Sequence, residues 1–475
     1  MNEVLKSDML QLDELLESVQ QQGGEVLQSL EDRSTSAGEL IVEIGHLPDH
    51  GLGAAETLRL FNQRFEKLMV ASAGPRYLGF VTGGATPAAV MGDWLTAVYD
   101  QNTQAVSGNG DVSAHIELET IRLLLNLFQL PPAFFGGFVT GATMSNFTCL
   151  AVARQWAGRQ KNRDIAREGL TGTLPILSGT PHSSSIKSLA MLGLGSNNLV
   201  KVQTLQGNRE AMDIGDLENK LDMLNGEPCI VISSGGTVNT VDFDDMKEIA
   251  RLKTKFNFWW HIDAAFGAFA SCSPAYRYLL QGWEGADSIT VDCHKWLNVP
   301  YDSAIFLVRE SHRLLQVESF QNSNAPYLGD PLDKFSFMNF LPENSRRLRA
   351  LPAWFTLKAY GKNGYKEIVE NSINMALMLG EKIEGSSAFR LLAPVRLNTV
   401  CFTLAEDTNP EQLHAFLDML TKEGKVFLTP TVYKGAIGIR AAFVNWRTTE
   451  SDVELIWQEM NQVYDKFKKA QSAEK

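Results

Sequence analysis

Short apolar runs alternate with segments whose apolar residues repeat at helical spacing, from residue 136 to residue 308. The short runs predict strands, and the helical spacing predicts amphipathic helices between them. The predicted strands are 136–140, 174–178, 199–204, 229–234, 258–263, 287–291 and 303–308. The predicted helices between them are 143–157, 183–192, 213–224 and 242–256. This order favours an α/β fold, in which a mostly parallel seven-stranded sheet is covered by helices on both faces.

The N-terminal region has a different pattern. Residues 2–32 and 54–73 carry apolar residues at helical spacing within polar sequence, so we expect a helical arm over residues 1–85. The apolar stripe of such an arm packs either on a partner subunit or on its own domain. We interpret the arm as a contact between subunits of a dimer.

The C-terminal region begins with a long predicted helix, 346–383, interrupted by glycines at 361–364. Strands and helices alternate after it. The predicted strands are 387–393, 398–404 and 435–443, and the predicted helices are 409–423 and 449–468. We therefore predict a large α/β domain at 86–345, followed by a small α+β domain at 346–475.

Composition and charge narrow the function. The chain has 475 residues, of which 44% are hydrophobic and 21% charged, as in soluble globular proteins. A formal net charge of −12 argues against nucleic acid or an anionic membrane as the main partner. Five scattered cysteines lack the paired spacing of a metal site or a disulfide framework, and no metal is expected. With no long apolar segment either, we expect a cytoplasmic protein.

Two predicted strands end next to residues with reactive chemistry. The run at 287–291 leads to Lys295, and the run at 258–263 ends in Asp263. Open α/β sheets bind ligands at the carboxyl ends of their strands, so an amine and an acid are expected at one edge. This pairing favours pyridoxal phosphate (PLP), which takes a lysine as Schiff-base partner and an acid beside its ring nitrogen. The alternatives are a lysine exposed to solvent and an aspartate that caps a helix.

The phosphate of such a cofactor is expected where a glycine turn opens a helix, because free backbone N–H groups and the helix dipole attract anions there. The run at 136–140 leads into Gly141 and Thr143 at the start of a predicted helix. Thr143 is also a candidate N-cap of that helix. His294, beside the lysine, is a further candidate for the phosphate.

Two residues suit a flat ring. His182 follows the strand at 174–178, where an imidazole can stack on a cofactor, although a histidine at such a position is often a surface or cap residue. Ala265, two residues past Asp263, is small enough for a ring to lie against the chain.

Five motifs that include these residues follow one another along the chain. They are Thr-Gly-Ala-Thr-Met-Ser-Asn at 140–146, Pro-His-Ser-Ser at 181–184, His-Ile-Asp-Ala-Ala-Phe-Gly at 261–267, Asp-Cys-His-Lys-Trp at 292–296 and Asn-Ser-Arg-Arg-Leu-Arg-Ala-Leu-Pro-Ala-Trp at 344–354. In this order and spacing they resemble the PLP-dependent group II decarboxylases, the relatives of the aromatic-amino-acid and glutamate decarboxylases. The likeness extends over residues 60–460.

The resemblance implies a fold-type-I large domain like that of aspartate aminotransferase, and a homodimer with shared active sites. It implies that Lys295 holds PLP, that Asp263 pairs with the ring nitrogen and that His182 stacks on the ring, which makes these three residues catalytic. The further cofactor contacts that it implies are Ala142, Thr143, Thr237, Ala265 and His294.

The resemblance also implies an activity, the decarboxylation of an L-amino acid to an amine and CO2. Phe80 and Thr82 would border the substrate. Arg440 matches an arginine with which some members hold a substrate carboxylate, and it is equally a candidate for a structural role. Aminotransfer, aldehyde synthesis and other carbon–carbon cleavage remain alternatives on the same fold. A PLP-free binding protein is a third class, which the complete lysine, aspartate and histidine set disfavours.

One position departs from the family pattern. Members that decarboxylate efficiently carry a tyrosine on a loop ahead of the Arg-Arg-x-Arg stretch, and this tyrosine delivers a proton to the α-carbon. The corresponding region here has Phe337, which predicts diversion to an aldehyde or to transamination. Tyr327, a different group or water is the alternative donor.

Overall fold

The computed structural model of the chain describes residues 1–37, 45–105, 111–321, 335–406 and 408–473. Two sheets organise this structure. The large sheet contains β1 (Phe134–Val139), β2 (Ile176–Ser178), β3 (Leu199–Lys201), β4 (Cys229–Ser234), β5 (Phe258–Asp263), β6 (Ser288–Asp292) and β7 (Ala304–Arg309). The small sheet contains β8 (Phe389–Leu391), β9 (Thr399–Leu404), β10 (Thr429–Tyr433) and β11 (Ala436–Ala442).

The helices fall into three groups along the chain. Those before the large sheet are α1 (Glu3–Leu10), α2 (Leu12–Gln28), α3 (Ala54–Arg64), α4 (Pro87–Tyr99) and α5 (Ser113–Leu127). Those connecting its strands or following them are α6 (Ala142–Gln160), α7 (Ile165–Glu168), α8 (Ser183–Met191), α9 (Ile214–Met223), α10 (Met246–Lys255) and α11 (Arg313–Phe320). Those around the small sheet are α12 (Ala350–Glu384), α13 (Pro410–Glu423) and α14 (Glu450–Ala473). No helix of the described ranges is both long enough and apolar enough to cross a membrane.

The large sheet has the strand order β1-β7-β6-β5-β4-β2-β3. Strands β3, β2, β4, β5 and β6 pair in parallel, and β7 is antiparallel to both of its neighbours. The prediction of a mostly parallel seven-stranded sheet is therefore confirmed. Strand β2 begins two residues later than predicted, because Pro175 has no N–H to donate to the ladder.

Helices cover both faces of this sheet, as predicted. Side chains alternate along each strand, so Trp260 and Ile262 of β5 pack in one core with α5, α9, α10 and α12. Trp259 of the same strand packs in the opposite core with α6 and α8. Both faces of the central strands are thus buried, and the open edge at their carboxyl ends is where a ligand has room.

The N-terminal arm is less continuous than predicted. The helix expected at 2–32 is two helices, α1 and α2, which meet at Gln11, where φ of −106° and ψ of 17° depart from helical values. The helix expected at 54–73 ends at Arg64 and continues as a 3₁₀ turn over Glu66–Leu68.

The small sheet is antiparallel, with the order β10-β11-β9-β8. Strand β10 was missed from the sequence because it contains Pro430, but as an edge strand β10 tolerates a residue that lacks an N–H. Helix α12 bends at Gly361, whose φ of 57° suits glycine. Its residues as far as Ile373 pack in the core of the large sheet, and those from Met375 pack under the small sheet. The division into 1–85, 86–345 and 346–475 stays a prediction.

Candidate active site

The carboxyl ends of β2, β4 and β5 open into a cavity of about 270 Å³. Its lining includes five of the residues singled out from the sequence, which are His182, Thr237, Asp263, Ala265 and Lys295. They reach it from different turns that follow parallel strands, so the sheet edge brings them together. An amine, a carboxyl group and an imidazole therefore line one enclosed space.

Asp263 is the last residue of β5 and is only 8% exposed. Its Oδ2 accepts hydrogen bonds from Asn146 Nδ2 at 3.0 Å and Ser185 Oγ at 3.1 Å, and its Oδ1 accepts one from the Ala265 N–H at 3.3 Å. No lysine or arginine forms an ion pair with it within the described ranges. A buried carboxylate without a cation nearby is energetically costly. We therefore expect a ligand of the cavity to place a positive group beside Asp263. The protonated ring nitrogen of PLP is such a group.

Lys295 lies in the turn after β6, with its Nζ 3.0 Å from Asp292 Oδ2 and 5.6 Å from the centroid of the Phe266 ring. The other oxygen of Asp292 lies 3.2 Å from His294 Nε2 and accepts the Ala142 N–H at 3.1 Å. Burial alone would raise the pKa of Asp292, but the charge of Lys295 and the hydrogen bond from His294 hold that pKa below its usual value. Asp292 is therefore an anion that links the lysine to the start of α6.

Sequence reasoning did not assign a role to Asp292, although it is quoted in the Asp-Cys-His-Lys-Trp motif. The available signal was its position three residues before Lys295, which in a turn places the two side chains together. Glu210 was also missed. It lines the cavity and accepts hydrogen bonds from Thr237 Oγ1 and Thr240 Oγ1, both at 2.6 Å. Nothing in its local sequence indicates this position, because the contacts come from another turn.

The phosphate candidates lie beside the cavity rather than in its lining. Helix α6 begins at Ala142, so Thr143 is in the first turn and the alternative that Thr143 is the N-cap is wrong. His294 lies against Gly141, where an added Cβ would be 3.4 Å from the imidazole Cε1. Its Nδ1 accepts the Ser303 N–H at 3.3 Å, which leaves Nε2 to donate to Asp292. These groups border a helix N-terminus suited to an anion.

His182 lines the cavity and also caps α8. Its Nδ1 lies 2.7 Å from Ser184 Oγ and accepts the Ser184 N–H at 3.2 Å. Burial lowers the pKa of His182, with the nearby charges of Asp263 and Lys295 acting in opposite directions. A neutral imidazole is therefore expected at neutral pH, with its flat face available to a ring.

The substrate candidates do not line the 270 Å³ cavity. Phe80 is 61% exposed and lies against Phe427, with 5.8 Å between ring centroids. Thr82 lines a separate, mostly apolar cavity of about 570 Å³ together with Tyr301, whose ring stacks on His294 at 4.1 Å. Arg440 donates from an Nη nitrogen to the Val238 carbonyl at 3.2 Å, and its Nε is buried without a partner.

Phe337, the residue that departs from the family pattern, lies in the core of the single chain and not in the lining of the 270 Å³ cavity. Its side chain is fully buried, packs edge-on against Phe335 at 4.8 Å and lies under the guanidinium of Arg346 at 4.6 Å. A phenyl ring has no polar atom to keep at a reaction site, and here it fills the core next to β1. The interpretation that Phe337 stands in place of a catalytic tyrosine stays a prediction. The alternative donor, Tyr327, lies outside the described residues.

The fold and this site define a class of protein, the α/β enzymes that bind PLP at the carboxyl edge of a mostly parallel sheet. Comparison with known proteins narrows the class. Residues 62–405 match the model of the pyridoxal-dependent decarboxylase conserved domain, and the chain belongs to this family. The predictions of PLP as cofactor and of amino-acid decarboxylation are confirmed.

Individual relatives agree with this assignment. The chain is 28% identical over 420 residues to an aromatic-L-amino-acid decarboxylase of Bacillus atrophaeus, covering 86% of this chain and 85% of that one. It is 26% identical over 368 residues to a 3,4-dihydroxyphenylacetaldehyde synthase of Aedes aegypti, covering 74% and 69%. The crystal structure of Oryza sativa TDC with PLP and tryptamine has the same fold, with a TM-score of 0.85, 21% identity and coverage of 96% and 98%.

Proposed function

We propose that this chain decarboxylates an aromatic L-amino acid at the 270 Å³ cavity, with Lys295 as the residue that holds PLP. The observation that carries the proposal is the presence of Lys295 and the buried, cation-free Asp263 in the lining of one cavity. When bound, PLP accepts the electron pair that remains on the substrate's α-carbon as CO2 leaves.

The residues around the cavity have distinct roles in this proposal. Asp263 uses Oδ1 to hold the charged ring nitrogen, because Oδ2 is already occupied by two donors. His182 offers its neutral, flat ring to one face, and Ala265 leaves space at the other. Thr237 cannot donate freely to the cofactor, since its hydroxyl already donates to Glu210. It therefore supports the ring by contact.

The phosphate is expected at the start of α6, near Ala142, Thr143 and His294. Asp292 currently takes the Ala142 N–H and the His294 Nε2–H, so a phosphate there has to share or replace these donors. The same carboxylate holds the amine of Lys295 in position. Asp292 thus couples the anion site to the reactive amine.

Arg440 does not itself line the cavity, but it bonds to Val238, which does, and we propose that Arg440 holds the carboxylate of the substrate from there. Within the described ranges its guanidinium has no acidic partner and bonds only to the Val238 carbonyl. A buried cation without an anion is unfavourable, and burial lowers the pKa of Arg440 accordingly. A carboxylate with its two oxygens matches the fork of an arginine. A purely structural arginine would be expected to have more of its donors satisfied.

The aromatic class of substrate is supported by the relatives and by the surroundings of Thr82. The relative from Bacillus atrophaeus is an aromatic-L-amino-acid decarboxylase. Thr82 and Tyr301 border a mostly apolar cavity next to His294, and Phe80 exposes its ring nearby in sequence. Apolar walls favour an aromatic side chain over a charged one. Aldehyde formation is the second candidate, because the Aedes aegypti relative is an aldehyde synthase.

The assembly is proposed to be a cytoplasmic homodimer with shared active sites. Apolar side chains of the N-terminal helices are exposed in the single chain, among them Leu5, Met9, Leu10, Leu12 and Leu16. Exposed apolar groups at such density favour association with another subunit. Sedimentation at micromolar concentration checks the dimer, and a monomer would remove the shared-site proposal.

The test of the function is a panel of L-amino acids incubated with the PLP-loaded enzyme. We expect CO2 release to be fastest with aromatic substrates and the product to be an amine. Borohydride reduction followed by peptide mapping is expected to place the pyridoxyl group on Lys295. A label on another lysine, or faster CO2 release from acidic or basic amino acids, would contradict the respective part of the proposal.

A further inference from the structure

A chain of buried polar side chains lies behind Asp263 and is not used by the chemistry described above. Trp259 Nε1 donates to Ser288 Oγ at 2.9 Å, and Ser288 Oγ lies 2.9 Å from His261 Nδ1. His261 Nε2 lies 2.9 Å from Asn146 Oδ1, and Asn146 Nδ2 donates to Asp263 at 3.0 Å. Apart from Asp263, each of these side chains is completely buried.

The period of β5 explains why these groups meet. Trp259, His261 and Asp263 are two residues apart along the strand, so their side chains leave the sheet on the same face. That face is covered by α6, which carries Asn146. His261 is absent from the cavity lining, so it can act on a ligand there only through its neighbours.

The chemistry of the groups determines which atom donates and which accepts in each hydrogen bond of this series. An indole N–H only donates and an amide oxygen only accepts. Ser288 therefore accepts from Trp259 and donates to His261 Nδ1, and His261 Nε2 carries the proton that binds Asn146 Oδ1. The other tautomer would require the Asn146 amide to turn over, which would point its oxygen at the carboxylate of Asp263. Burial lowers the pKa of His261 to about 4, so the imidazole is neutral at neutral pH.

Asn146 connects this chain to both ring contacts. Besides its bond to Asp263, its amide nitrogen lies 3.1 Å from Ser184 Oγ. Ser184 Oγ in turn lies 2.7 Å from Nδ1 of His182. The Asn146 amide nitrogen thus contacts the carboxylate of Asp263 and, through the Ser184 hydroxyl, the imidazole of His182; Ser185 Oγ lies 3.3 Å from the same nitrogen.

We propose that His261 and Asn146 are positioning residues, in which the neutral imidazole of His261 locks the Asn146 amide so that it orients both Asp263 and His182 toward PLP. The proposal rests on the function proposed above, because it acts through Asp263. It explains why a histidine is placed in a fully buried position within an apolar strand, where a hydrocarbon side chain would cost less.

The test replaces His261 and follows the cofactor itself. His261→Leu removes the donor to Asn146, so the Asn146 amide no longer holds the carboxylate of Asp263. We expect the dissociation constant of PLP to rise roughly 10- to 100-fold, the effect of losing that hydrogen bond to a charged group. In enzyme reconstituted with ring-¹⁵N PLP, the ring nitrogen of this variant is expected to shift toward the neutral pyridine position. His261→Gln keeps a donor and an acceptor and is expected to restore most of both signals.

Two adjacent tryptophans provide a matched control. Trp259 and Trp260 are both completely buried on β5, and each donates its indole N–H to a serine, but Trp260 bonds to Ser233 on the opposite face. Trp259→Phe is expected to weaken PLP binding less than His261→Leu does. Ser233 lines the cavity, but Trp260 has no bond to His261 or Asn146, so Trp260→Phe is expected to weaken PLP binding less than Trp259→Phe does. Equal losses in the two tryptophan variants would show a general loss of packing and overturn the proposal.

The outcomes separate this inference from the proposed function. A charged ring nitrogen in the wild type together with an unchanged nitrogen in His261→Leu overturns the positioning role only. A neutral ring nitrogen in the wild type overturns the role of Asp263, and the positioning role with it. If His261→Leu does not fold, ¹⁵N spectra of wild-type imidazoles decide the matter, since a protonated Nδ1 on His261 at neutral pH contradicts the proposal.

Discussion

The buried ion pair between Arg346 and Glu117 makes a sharp prediction about stability. Both side chains have 0% exposure, with 2.7 Å between an Nη nitrogen of Arg346 and Glu117 Oε1. The same Nη nitrogen donates to the Phe138 carbonyl at 2.7 Å, and Glu117 Oε1 also accepts the Phe138 N–H at 2.7 Å. The pair therefore ties the stretch before α12 to α5 and to the end of β1, three residues before the turn that opens α6.

Arg346→Met keeps most of the buried volume and removes the charge. Among the described residues, Glu117 is then left in the core with the Phe138 N–H as its one donor, so the free energy of unfolding should fall by about 3–5 kcal/mol. Glu117→Leu is expected to lower the free energy of unfolding by less than Arg346→Met does, because a buried carboxylate without a partner has the larger desolvation penalty. In the double variant, Arg346→Met with Glu117→Leu, neither charge of the pair remains. We expect its loss of unfolding free energy to be smaller than the sum of the two single losses by at least about 2 kcal/mol.

Urea unfolding followed by tryptophan fluorescence and circular dichroism measures these differences, with coincidence of the two signals as the condition for comparing free energies. Arg346→Lys is the charge-preserving control. An ammonium lacks the second Nη nitrogen, which in Arg346 donates to the Thr103 carbonyl at 3.4 Å, so an intermediate loss of about 1–2 kcal/mol is expected. Additive single losses, or a loss below about 1 kcal/mol in Arg346→Met, would refute the reasoning that desolvation dominates this pair.

Three further predictions concern the site and its pH dependence. Asp263→Ala should bind PLP weakly and lose nearly all CO2 release, since the ring nitrogen loses its anion; near-normal turnover would remove the assigned role. On the hypothesis that Tyr327 is the proton donor, Tyr327→Phe should shift the product from amine toward aldehyde, as measured by mass spectrometry; unchanged products would leave a different group or water as the donor. Burial raises the pKa of Asp244 to about 7, so folding takes up a proton between about pH 4 and 7 and stability falls as pH rises through that window. The stability advantage of wild type over Asp244→Asn should therefore shrink from about pH 5 to about pH 8, and a constant difference would contradict the shift.

The sheet and the cavity were largely predictable because they depend on local signals. A short apolar run that ends in a polar residue predicts a strand and also places the polar side chain at the end of that strand. Asp263 at the end of β5 is an example. Parallel pairing then places the ends of neighbouring strands at one edge without further information. The same reasoning brought Lys295 and His182 to the cavity.

The remaining features depend on contacts between distant parts of the chain. Glu210 meets Thr237 across two turns, and no periodicity signals that contact. The packing of the Phe337 ring against Phe335 and under Arg346 was not predicted either, because spacing from the Arg-Arg-x-Arg stretch does not indicate core contacts. An apolar side chain goes where volume is available in the core, which the linear sequence does not encode.

His182 shows that the structural and functional interpretations of a residue need not compete. The sequence left a helix cap and a stacking imidazole as alternatives, and the structure has the cap, with Nδ1 occupied by Ser184. Because Nδ1 accepts, a neutral ring carries its proton on Nε2, and only that edge and the flat faces remain for a ligand. The cap therefore fixes the tautomer and the orientation that stacking on a ring requires. A structural role of this kind gives His182 a defined geometry at the cavity, and the cap bond is formed before any cofactor is bound.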